Sequence, residues 1–74
     1  MLFRSMRLAA LDRQMKQAYA AALAAGASPD ALAADQDDWL DVREDAARQS
    51  RWAVASVYRQ RIDELWDLVD RAPR

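Results

Sequence analysis

An all-α fold is predicted by three features of the chain. Gly26 is its only glycine, apolar residues recur at helical spacing, and helix-favouring alanines fill the stretch AYAAALAAGA. The architecture expected is an antiparallel helical hairpin in one small domain, residues 1–74, extended by a third helix or by the far half of a long second one.

Leu8, Leu11, Met15, Ala18, Tyr19, Ala22 and Leu23 share a helical stripe, which predicts a first helix over about residues 4–25. Gly26 suits the left-handed residue that closes such a helix, and residues 26–28 form the turn. Ser28 then reads as an N-cap, Pro29 as the first helical residue and Asp30 as a favourable charge at the positive end of the helix dipole. A helical segment is predicted over about 29–71. No residue within it demands a stop, so it is one helix or two broken near 46–51. Unbroken, it would span about 64 Å against about 36 Å for the first helix. The overhang would need either a second chain or a bend that folds residues 52–70 back as a third helix.

A chain of 74 residues is in the size range where one core is marginal without a staple or a partner, so a homo-oligomer is a live expectation. Its 53% hydrophobic content is inflated by alanine, which buries little area per residue; the core should be thin. There is no cysteine and no histidine. Disulfides, thiolate zinc sites, the commonest metal ligand and the usual general base are therefore absent, and neither an enzyme nor a cofactor is expected. Carboxylate pairs such as Asp37/Asp41 and Asp63/Asp67 fall at i, i+4 without a histidine beside them, so no metal site is expected either.

The net charge of −1 is unevenly spread. Residues 30–45 carry seven acids against Arg43 alone, while both flanking segments are net positive. Arg51, Arg59 and Arg61 are interrupted by Asp63, Glu64 and Asp67, which argues against a nucleic-acid face. No run of about 18 apolar residues is present, so no transmembrane segment is expected. Arginines interrupt the apolar part of MLFRSMRLAAL, and no export signal is read from it.

The stretch QDDWLDVRED places Arg43 near the middle of the helical face shared by Gln36, Trp39 and Ala46, where a hydrophobe would be ordinary. Asp12 is a matching misfit within the apolar arc of the first helix. In a hairpin turning at 27–28, Arg43 meets Asp12, Tyr19 lies beside Gln36, Leu23 beside Leu32, and Met15 beside Leu40 with Trp39 close by. A charge pair and a Tyr/Gln hydrogen bond in a thin seam would fix the register of the two helices. Trp39 is expected in the core.

LDRQMKQAYAAAL, then Gln36, Trp39-Leu40 and Arg43, then Tyr58, Arg61-Ile62 and Leu65, resembles the lysozyme-inhibitor LprI-like family of small helical bacterial proteins. The resemblance covers roughly residues 8–66 and makes Asp12, Tyr19, Gln36, Trp39, Arg43, Tyr58 and Arg61 the structural motif. It implies a periplasmic or cell-envelope location and a protein partner, in the namesake case a lysozyme. The family usually has one cysteine shortly after the motif arginine and another before the later tyrosine. This chain has Ala46, Ala47 and Trp52 in that neighbourhood.

Two surfaces are candidates for binding such a partner. Asp35, Asp37, Asp38 and Asp41, with Asp45, form an acidic helix face that is either simply solvated or suited to docking a cationic hydrolase. Trp52 and Trp66, 14 residues apart and about 40° out of register, lie on a wide apolar arc of the C-terminal segment. They form either part of a three-helix core or an exposed ridge that would pack on a larger assembly.

Overall fold

A computed structural model describes residues 2–72, with side-chain surroundings described from residue 7 onward. It contains three helices: α1 (Leu2–Ala24), α2 (Pro29–Gln49) and α3 (Arg51–Arg71). The hairpin therefore carries a third helix, and the long segment is broken.

Each boundary has a local cause. After α1 the Gly26 N–H bonds the Leu23 carbonyl and the Ala27 N–H bonds the Ala22 carbonyl, both at 3.0 Å, a Schellman closure with Gly26 at φ 105°. That backbone angle is open to glycine at little cost and strained for other residues. Ser28 caps α2 by accepting a hydrogen bond from the Ala31 N–H, with Pro29 opening the helix. A single residue, Ser50, separates α2 from α3. Its extended backbone ends one helix, its N–H still reaches the Ala46 carbonyl, and its hydroxyl accepts the Ala53 N–H at 3.0 Å to start the next. One side chain thus makes a corner without a loop.

The helices run up, down and up. Contacts between α2 and α3 pair earlier residues of α2 with later residues of α3, Arg43 with Tyr58 and Gln36 with Arg61, so these two are antiparallel. Asp12 reaches Tyr58, and Leu8 lies against the same hollow as Ala55, so α1 and α3 run in the same direction. The most extensive backbone packing is α1 on α3, then α2 on α3, whereas the backbones of α1 and α2 come close at few positions. The expected partners Asp12 and Arg43 are consequently joined through α3, while Met15 of α1 and Gln36 of α2 still meet directly.

Small residues explain the tight pairing. Ala18 and Ala22 of α1 are fully buried, Ala55 of α3 and Ala46 of α2 nearly so, and they join Leu11, Met15, Leu32, Trp39, Val54, Tyr58 and Leu65 in one core. Among the described residues Leu65 is the one large side chain with no exposure. The radius of gyration is 13.0 Å, against about 11 Å for a compact chain of this length, and the extents are 43 × 21 × 14 Å. The bundle is long and thin. Of the two expected stripe residues Ala22 and Leu23, only Ala22 faces the core; Leu23 is more than a third exposed, because the α1 stripe follows Leu11, Met15, Ala18 and Ala22. Among the described residues no helix is long and apolar enough to cross a membrane.

Candidate functional site

In α2 the core-facing positions alternate at spacings of three and four: Leu32, Gln36, Trp39, Arg43, Ala46. Leu32, Trp39 and Ala46 are buried, and the polar Gln36 and Arg43 fall between them. In α3 the corresponding row is Val54, Tyr58, Arg61, Leu65, all buried. Polar groups on each helix therefore arrive at the same levels of the seam.

At one level Arg43 Nη1 donates to the Tyr58 hydroxyl at 3.1 Å, and that hydroxyl donates to Asp12 Oδ1 at 3.0 Å. Asp12 also pairs with Lys16, one turn on, at 2.9 Å. The expected direct Asp12–Arg43 pair is thus replaced by a relay through Tyr58. The physical reason is that α3 lies between the partners' helices, so its phenol occupies the space in which the two charges were expected to meet. The joint is also only partly dry, since 29% of the Asp12 side chain remains exposed. Trp39 supports the relay: its ring meets Tyr58 edge-on at 5.0 Å, the Arg43 guanidinium lies over it at 5.6 Å, and its indole N–H donates to the Val57 carbonyl at 3.2 Å.

One turn away, Arg61 Nε donates to Gln36 Oε1 at 2.9 Å and Gln36 Nε2 contacts Met15 Sδ at 3.2 Å. Gln36 is therefore committed to Met15 and Arg61, not to the expected Tyr19, which packs half-buried at the edge of the core. Arg61 is 5% exposed; its Nη1 lies 3.3 Å from Glu64, and its buried Nη2 has no acceptor among the described residues.

Two titrations are moved by this packing. Burial pushes the Asp12 carboxyl up, but the hydrogen bonds from Lys16 and Tyr58 and the charges of Lys16 and Arg43 outweigh it, so the group is held below the ordinary aspartate value. Burial raises Tyr58 above an ordinary phenol, and Asp12 adds to the rise against the opposing hydrogen bond from Arg43.

The motif residues Asp12, Gln36, Trp39, Arg43, Tyr58 and Arg61 are thus brought together as packing and hydrogen-bonding partners, while Tyr19 stays at the edge of the core. The outer residues are not gathered in one place. Asp35, Asp37, Asp38 and Asp41 are all exposed and none belongs to an ion pair among the described residues. Only Asp35 and Asp38 line a groove between α2 and α3, where they meet Glu64 and Asp67. These two α3 acids were not anticipated as binding residues, although Asp35/Asp38 and Glu64/Asp67 share similar short helical spacing. Trp52 is 74% and Trp66 44% exposed, so the bend at Ser50 builds a three-helix core that leaves both outside it. Among the described residues no group of three or more acids is placed to hold a metal ion. Comparison of the chain with known protein families, curated proteins and solved structures finds no match.

Proposed function

We propose that this protein is a non-catalytic protein-binding module of LprI-like type, which inhibits a cationic hydrolase of the lysozyme class at the cell envelope. The observation that carries the proposal is the division of polar residues. Asp12, Arg43, Tyr58, Gln36 and Arg61 are engaged with one another, while Asp35, Asp37, Asp38 and Asp41 stand exposed and outside any described ion pair. Acids held on a rigid helix supply charge complementarity to a basic enzyme, which speeds encounter and selects the partner. Purified protein mixed with lysozyme should slow cell-wall lysis in a saturable manner. Unchanged lysis at large molar excess removes the hydrolase as target.

A second reading is favoured by the exposed tryptophans. Trp52 and Trp66 present aromatic area of the kind that anchors interfaces, which supports an accessory subunit packed on a larger assembly or on a second copy of itself. A stoichiometric complex on purification from the source cell would support the assembly. A monomer in light scattering, with both tryptophans open to a soluble quencher, would count against self-association.

A further inference from the structure

The groove between α2 and α3 has a volume of about 590 Å³ and combines two kinds of surface. Its apolar part includes Val42 of α2, 48% exposed, and Leu68, 37% exposed, with Val57 of α3. Its rim carries Asp35 and Asp38 from one helix and Glu64 and Asp67 from the other. These four acids exceed the cations Arg61 and Arg71 that share the groove, and Arg61 is already paired with Glu64.

We propose that this groove is the docking site for a cationic polypeptide segment. Such a segment lays apolar side chains on Val42, Val57 and Leu68 and sets lysines or arginines against the carboxylates on both walls. The exposed Val42 and Leu68 beside the acids give apolar side chains a seat that a polyamine or a metal ion does not use. The inference rests on the protein-binding reading above and narrows it from the whole acidic helix to the side on which Asp35 and Asp38 meet α3. Asp37 and Asp41 lie outside the groove and supply bulk charge only.

The test is binding of a fluorescently labelled lysine/leucine amphipathic peptide, and separately of lysozyme, to the full chain and to two charge-matched variants. D38N/D67N alters the groove and D37N/D41N the outer face. All four residues are exposed, and helical circular dichroism checks that the fold is kept. The groove variant should bind the peptide about tenfold more weakly and the outer variant nearly as the parent, with affinity falling as salt rises. L68S should weaken binding without changing its salt dependence. Equal losses in both charge variants would overturn the groove in favour of diffuse attraction. Tighter binding of spermine than of the peptide would overturn the polypeptide occupant. A dimer abolished by L68S would assign the groove to a second copy. Groove-specific peptide binding with no lysozyme binding sinks the hydrolase and keeps the groove. Lysozyme inhibition lost only in D37N/D41N does the reverse.

Discussion

Two levels of the same bundle are built on opposite principles. Near the Gly26 turn the core contains Ala18, Ala22 and Leu32 with no polar group among them, and burial is nearly complete. Further along, Asp12, Tyr58, Arg43 and Trp39 form a partly wet layer in which almost every contact is directional. The apolar level resists water but tolerates sliding, because alanine surfaces are smooth. The polar level gains little net energy from its hydrogen bonds, yet a slip of one turn would leave its donors and acceptors without partners. Stability and register are thus assigned to different layers.

That contrast can be broken from either side. Leu65→Ala should have the largest effect, about 2–5 kcal/mol in urea unfolding, since it empties a large, fully buried site of a thin core. Tyr58→Phe keeps the ring on Trp39 and removes the hydroxyl that joins Arg43 to Asp12. It should cost about 1–3 kcal/mol, with a broadened transition if register loosens. Arg43→Met should cost less, about 1 kcal/mol, because Asp12 retains Lys16; altered helix pairing or oligomeric state is the sign that register was lost. Ser50→Ala removes the cap at the loopless corner and should cost about 1 kcal/mol, read as a lower melting temperature.

The smallest and most diagnostic effect is on pH. Asp12 is held below its unfolded value, so its contribution is present above about pH 4 and is lost as pH falls through the depressed folded value. Tyr58 is raised, so its contribution is present below about pH 10 and disappears as pH climbs through the raised folded value. Asp12→Asn should flatten the acid limb of a stability–pH curve and Tyr58→Phe the alkaline limb. If neither limb changes, the relay is not formed in solution.

Much of this was legible in the chain itself. Gly26, Ser28 and Pro29 act through local geometry, so the first turn and the start of α2 could be placed from residues alone. Arg43 and Asp12 were conspicuous as polar residues on apolar faces, and Trp39 belonged in the core. Ser50 was harder to see, since an isolated capping serine is also compatible with a continuing helix. The groove was not visible at all, because Glu64 and Asp67 join Asp35 and Asp38 only after the chain has turned at Ser50.

Helical periodicity determined which residues lie on one face of each helix, and capping chemistry determined the first turn, because both act within a few residues. Which face meets which was a choice among nearly equal apolar stripes. Tertiary packing decided it when buried alanines let α1 settle closely along α3, and that placement put the Tyr58 hydroxyl between two charges otherwise expected to touch.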